Sequence, residues 1–215
     1  MKKDYTDIIC LLDRSGSMAS LKNDMVNGLK TFVAEQKKLP GECLFTLVQF
    51  DSTEYKTVYD ARPIDKVEDI DLIPGGATPL LDSLGRLIED TGKRFKIMRE
   101  DERPQHIVFM IITDGEENAS MRFSRHQIRE MIKVQSETYN WHFTYLGANQ
   151  DAFQEAHSIG IPRESTITFQ ANLMGTQSMY NSASNATSML RSGIVGTMAY
   201  NKSDYDAQED AKQPK

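Results

Sequence analysis

At 215 residues, with 39% hydrophobic and 26% charged side chains, the chain has the size and balance of a single packed globular domain. A net charge of −6 excludes the broad basic face of a general nucleic-acid binder; the local cluster Lys93-Arg94-Phe95-Lys96 with Arg99 reads as a solvated helix end. The first apolar run, residues 8–12, is too short for a membrane span or for the core of a secretory leader, so neither nucleic acid nor a membrane is an expected partner.

Strand-type and helix-type segments alternate along the chain. Residues 8–13 form an unbroken apolar run ending in Asp13, as in a central strand covered on both faces. Leu21, Met25, Leu29, Phe32 and Val33 then recur at helical spacing until Pro40-Gly41. Strands are predicted over 43–50 and 54–61. Only Asp51-Ser52-Thr53 separates them, which is too short for a parallel crossover and predicts an antiparallel edge hairpin. After a loop around 65–74, Thr78 is placed as a helix N-cap and Pro79 as the first helical residue, with Leu80, Leu84, Leu87 and Thr91 on one face. Residues 106–113 form the most buried strand. Ser124 and Gln127 have capping-box spacing before a helix carrying Ile128, Met131 and Ile132 inward. A strand over 141–146, a short helix over 151–158 and a strand over 166–169 follow.

From 173 to 190, Thr176, Tyr180, Ala183, Thr187 and Leu190 keep helical spacing among small residues that interlock weakly, so this helix is read either as an element able to shift or as a firmly docked helix with a polar outer face. Beyond Tyr200 little remains to bury. The domain is therefore placed at 5–195 and residues 196–215 are read as a flexible tail. Cys10 and Cys43 fall in strand-like runs and read as two buried thiols; with no leader visible, a cytoplasmic location is expected. The alternation as a whole predicts a doubly wound α/β sheet, which binds ligands outside the carboxyl ends of its strands near the switch in strand order.

Three segments carry candidate chemistry at those ends. In Asp13-Arg14-Ser15-Gly16-Ser17, alternate residues can aim their oxygens at one point, and an oxygen-only set suits a hard cation such as Mg2+. The others are Gly75-Gly76-Ala77-Thr78-Pro79 and Thr113-Asp114-Gly115. Singly, each is explained by a turn or a cap. Together, Asp13, Ser15, Ser17, Thr78 and Asp114 resemble the metal-ion-dependent adhesion site (MIDAS) of von Willebrand factor type A (VWA) domains, a resemblance that spans Asp7 to Gly193.

The resemblance implies a mostly parallel, Rossmann-like sheet with one antiparallel edge strand and helices on both faces. It also implies Mg2+, with Mn2+ or Ca2+ as alternatives, held directly by Ser15 and Ser17. Thr78 would bind directly or through water, and Asp13 and Asp114 through bridging waters. An open metal position would take a carboxylate from a partner protein, such as a ring ATPase or another assembly component. In the resembled family such binding shifts the last helix. The alternative is a structural component of a phage or bacterial assembly in which the metal only staples loops. A Mg2+-dependent phosphoryl hydrolase is less favoured, because the haloacid-dehalogenase-type plan needs a second carboxylate where Ser15 stands, and a serine has no useful pKa for acid catalysis. The chain is therefore read as no enzyme. Glu116 and Glu117 read as loop solvation, Asn149, Gln150 and Asp151 as a rim or a helix cap, and the four histidines as packing or surface residues.

Overall fold

The computed structural model describes residues 1–148 and 151–212. Its strands are β1 (Lys2–Asp13), β2 (Glu42–Phe50), β3 (Tyr55–Pro63), β4 (Pro104–Thr113), β5 (Trp141–Gly147) and β6 (Thr166–Thr168), in the sheet order β3-β2-β1-β4-β5-β6. All neighbours pair in parallel except β3, which is antiparallel to β2. The helices are α1 (Lys22–Lys37), α2 (Leu80–Ile97), α3 (Arg125–Tyr139), α4 (Ala152–Ser158), α5 (Leu173–Arg191) and α6 (Lys202–Asp210).

The two-residue period of β1 divides the core. Ile8, Cys10 and Leu12 face α1 and α5, meeting Met25, Leu29, Phe32, Met179, Tyr180 and Leu190. Ile9 and Leu11 face α2 and α3, meeting Leu84, Ile88, Ile128 and Ile132. Each fully buried aliphatic chain contributes about 1.5–3 kcal/mol, so both faces of the sheet demand a helical cover. The result is a mostly parallel, doubly wound sheet with one antiparallel edge strand and helices on both faces. Its strand order reverses between β1 and β4, and the carboxyl ends of those two strands carry Asp13 and Thr113-Asp114.

Two features differ from the sequence expectation. Thr78 does not cap α2: Pro79 occupies the N-cap position without a side-chain bond. The N–H of Leu81 instead donates to Glu117 Oε2 at 2.8 Å and that of Asp82 to Ser120 Oγ at 3.0 Å, so a distant loop caps the helix. The second difference is at the C-terminus. Met198 and Tyr200 belong to the core, the Tyr200 hydroxyl lies 2.7 Å from Thr144 Oγ1, and the Asn201 side chain caps α6. Two large buried side chains and a cap suffice to dock this segment, yet they leave no periodic signal.

Helix α5 is docked by more than small side chains. Gln36 of α1 donates its amide to Ser184 O at 3.2 Å, Ser184 Oγ at 3.0 Å and Ser188 Oγ at 3.1 Å, while Arg191 Nη1 donates to Gln36 O at 2.8 Å. Buried hydrogen bonds of this kind fix register, because sliding the helix would leave each partner unpaired.

His106 and His142 stand side by side near the amino ends of β4 and β5, with ring centroids 6.1 Å apart. Burial first, and His106 second, push His142 down from 6.5 to about 4. The unfolded chain therefore binds a proton that the folded chain refuses, and stability falls as pH drops through that interval. The expected loss is about 3 kcal/mol. Urea unfolding at pH 7 and pH 4.5 checks this. His142→Gln should lose less stability on acidification than the native chain, and an equal loss in both would show that His142 does not set the slope. Carboxylates common to both proteins cancel in that comparison.

Candidate metal centre

Asp13 ends β1, where the chain turns sharply into a short 3-10 helix, Gly16–Ser20. Neither that helix nor α1 uses a side-chain cap, so the hydroxyls of Ser15 and Ser17 are not consumed in capping. Both turn inward to a cluster instead. Ser15 Oγ lies 3.0 Å from Ser17 Oγ, and Ser17 Oγ donates to Asp114 Oδ1 at 2.7 Å. Asp13 is fully buried; its Oδ1 accepts from the Ser15 N–H at 2.7 Å and its Oδ2 from Thr113 Oγ1 at 2.6 Å.

Thr78 reaches the same point from the Gly75–Pro79 loop. Gly115 has no side chain, and a Cβ built on it would stand 3.4 Å from Thr78 Oγ1, 3.7 Å from Ser17 Oγ and 4.0 Å from Asp13 Oδ2. Oxygens from three separate loops thus surround one small volume that a methyl group would fill. The five residues singled out in the sequence come together there. Ser15 and Thr78 are buried, whereas Ser17 is exposed and leaves one side of the cluster open to solvent.

The loops are held by neighbours that sequence reading passed over. Gly16 N donates to Gly76 O at 3.0 Å and Gly75 N to Arg14 O at 2.8 Å, tying the glycine loop to the serine loop. Gly76 has φ +67 and approaches so closely that a Cβ would lie 2.7 Å from Ser52 Oγ, which requires glycine on both counts. Asp51, read only as part of a hairpin turn, organises this side. Its Oδ2 pairs with Arg14 Nε at 2.9 Å, and its Oδ1 accepts from Thr53 Oγ1 at 2.6 Å and from Glu54 N at 2.8 Å. Burial alone would raise the Asp51 pKa, but these donors and the Arg14 guanidinium together hold it below the usual carboxylate value. Glu117 is no mere solvating residue, since its carboxylate accepts from Leu81, Ala119 and Ser120 N–H groups and laces the loop to α2. Thr78 N likewise donates to Asn118 Oδ1 at 2.9 Å. Asp151 makes no side-chain cap on α4, and Asn149 and Gln150 lie outside the described residues.

The electrostatics leave negative charge at the cluster. Arg14 points away, to Asp51 and Glu54. Burial pushes the carboxyl groups of both Asp13 and Asp114 up, and the Asp114 charge adds to this at Asp13, against hydrogen bonds from Thr113 and Ser15. Two desolvated carboxylates with three hydroxyl oxygens and no nearby guanidinium form a hard-oxygen donor set, which fits a divalent ion of the Mg2+ type. Among the described residues no three His, Cys, Asp or Glu side chains gather as a metal site; this cluster has two carboxylates, and the remainder of its donors are hydroxyls.

No family model matches the chain, and no curated protein matches it. Solved structures do. Proximal thread matrix protein 1 from the mussel byssus matches at 17% identity and a TM-score of 0.65, over 83% of this chain and 47% of that one. The SpRpn10 VWA domain matches at 11% identity and a TM-score of 0.55, over 82% and 94%. The mussel protein with a zinc-occupied MIDAS motif matches at 16% identity and a TM-score of 0.51, over 94% and 50%. The shared feature is the fold: this chain has a VWA-like fold and spans about half the length of the mussel chains it matches. The matches to a thread matrix protein of the mussel byssus overturn the cytoplasmic expectation, since the same fold serves there. Two buried free thiols, Cys10 and Cys43, are compatible with either compartment because neither is accessible to oxidant or partner thiol.

Proposed function

We propose that this chain is a non-enzymatic structural module in which a divalent cation, Mg2+ by the chemistry of the donors, ties three loops together at the carboxyl edge of the sheet. The observation that carries the reading is the convergence of Ser17, Thr78 and Asp13 oxygens around the space over Gly115. Asp13, Ser15, Ser17, Thr78 and Asp114 are the residues that would hold the ion, which would supply the positive charge that the buried Asp13 and half-buried Asp114 carboxylates lack. The mussel matrix protein, whose MIDAS motif takes zinc, supports a structural role for such a site on this fold. The non-enzymatic reading rests on what these groups would do: the hydroxyls of Ser15, Ser17 and Thr78 and the carboxylate of Asp114 would be engaged by the ion, and no histidine of the described residues stands at the cluster to act as a base. Ser17 Oγ is hydrogen-bonded to a carboxylate, and His106 and His142 sit near the opposite end of their strands.

A ligand that binds only the folded state stabilises it by about 2.7 kcal/mol at a hundredfold excess over its Kd. For a domain of this size that is a rise in Tm on the order of 5–10 °C. Thermal melting in EDTA and in excess Mg2+ should show that rise for the native chain and little of it for Asp13→Ala or for the milder Ser17→Ala. Equal rises in all three proteins would place the ion elsewhere and sink the reading.

A second reading, recognition of a partner protein's carboxylate through the ion, is favoured by the exposure of Ser17, which leaves the cluster reachable from solvent. It differs from the first in one respect: partner capture would be lost in EDTA while the fold persists.

A further inference from the structure

We propose, on the premise that the oxygen cluster holds a divalent cation, that Asp51 is a positioning residue which sets the affinity for that ion by keeping the Arg14 guanidinium away from it. Arg14 stands between Asp13 and Ser15, so the loop that supplies three of the five donors also carries a permanent positive charge. A guanidinium turned toward the two carboxylates would compete with a divalent ion for the same negative charge. Here its charge is met elsewhere. Arg14 Nε pairs with Asp51 Oδ2 at 2.9 Å, and Arg14 Nη1 donates to Glu54 Oε2. The Asp51 side chain is wholly buried and that of Arg14 is 10% exposed, so solvent and salt screen their attraction little.

The geometry separates the arginine's charge from the shape of its loop. The Arg14 main chain is pinned on both sides: its N–H donates to Phe50 O at 2.9 Å and its carbonyl accepts from Gly75 N at 2.8 Å. Asp51 builds the hairpin turn with its other oxygen, Oδ1, which accepts from Thr53 N, Thr53 Oγ1 and Glu54 N. Ser52 ties that turn to the glycine loop, its N–H donating to Ala77 O at 3.0 Å and its Oγ accepting from Ala77 N at 2.9 Å. One carboxylate oxygen of Asp51 thus holds the turn that braces the loops, and the other restrains the arginine. Asp51→Asn divides the two tasks. An asparagine oxygen can keep the three turn bonds, but its amide nitrogen is a donor and cannot accept from Arg14. The arginine then keeps only the half-exposed Glu54 and is drawn toward Asp13 and Asp114.

Calorimetric titration of the EDTA-stripped, dialysed protein with Mg2+ tests this. Asp51→Asn should bind Mg2+ about tenfold more weakly than the native chain, and adding Arg14→Met should restore the affinity to within about threefold. A merely structural role for Asp51 would give no such rescue. Glu54→Gln, a change at a half-exposed side chain, should weaken Mg2+ about twofold to threefold and be rescued by Arg14→Met in the same way. It decides the matter if Asp51→Asn loses its near-UV circular dichroism. The inference is overturned if a folded Asp51→Asn, or failing that Glu54→Gln, binds Mg2+ as the native chain does, or if Arg14→Met rescues neither. A native chain that binds no Mg2+, or binds it equally well after Asp13→Ala, would sink the cation reading and this inference with it.

Discussion

Replacing Arg94 with Met is expected to cost about 3 kcal/mol of stability, the lower end of what breaking a buried ion pair removes. Asp7 sits in β1 with its side chain fully buried on the face toward α2, and Arg94 donates to its Oδ2. Burial pushes the Asp7 pKa up, and the Arg94 charge and hydrogen bond oppose that. Without Arg94 the carboxylate is left charged in an apolar layer, or must take up a proton. A folded pKa raised still further above 3.8 means that the native state binds more protons than the unfolded state, so the penalty grows as pH rises and is relieved as pH falls toward that value. Denaturant unfolding at pH 5 and pH 8 should therefore show a larger defect at pH 8. The double variant Asp7→Leu, Arg94→Met removes both charges and should recover most of the loss, because well-packed apolar replacements of buried pairs are often neutral. A double variant no more stable than Arg94→Met alone would show that packing, not charge, is responsible.

Substituting Gly28 with Ala should destabilise the protein by about 2 kcal/mol or more, although helix propensity alone argues the other way by about 1 kcal/mol. Gly28 lies in the middle of α1, where a Cβ would stand 2.2 Å from Cδ2 and 2.6 Å from Cε2 of Tyr180. Tyr180 is 1% exposed and its hydroxyl faces Met25 Sδ at 3.7 Å, so the ring has no free space to retreat into. Overpacking therefore outweighs the propensity gain. The same substitution in a Tyr180→Leu background should cost much less, and a double-mutant cycle by urea unfolding measures the coupling. Additive effects of the two changes would mean that α1 and α5 do not meet through this contact. Together with the Gln36–Ser184–Ser188–Arg191 bonds, the contact makes α5 a firmly seated helix. Of the two readings of this helix, the contacts favour the firmly docked one.

The residues of the oxygen cluster were legible in the sequence because each lies at a boundary that local patterning marks: Asp13 after an apolar run, Thr78 before Pro79, Asp114 after the most buried strand. The doubly wound alternation and the antiparallel edge hairpin were legible for the same reason, since hydrophobic period and loop length are local quantities. Pairings between remote positions were not. Arg94 reads as part of a solvated basic helix end and proves to be the partner of Asp7, 87 residues away. Asp51 reads as a turn residue and proves to hold Arg14, while Glu117, not Thr78, caps α2 across a gap of 36 residues. In each case the side chain's role is set by which desolvated group it must satisfy, and that group exists only once the sheet has brought distant segments together. The docked α6 and the depressed pKa of His142 belong to the same class. Local sequence determined where the loops and their oxygens fall along the chain; burial in the finished tertiary structure decided which polar groups are paired with one another, because only there are remote groups desolvated side by side.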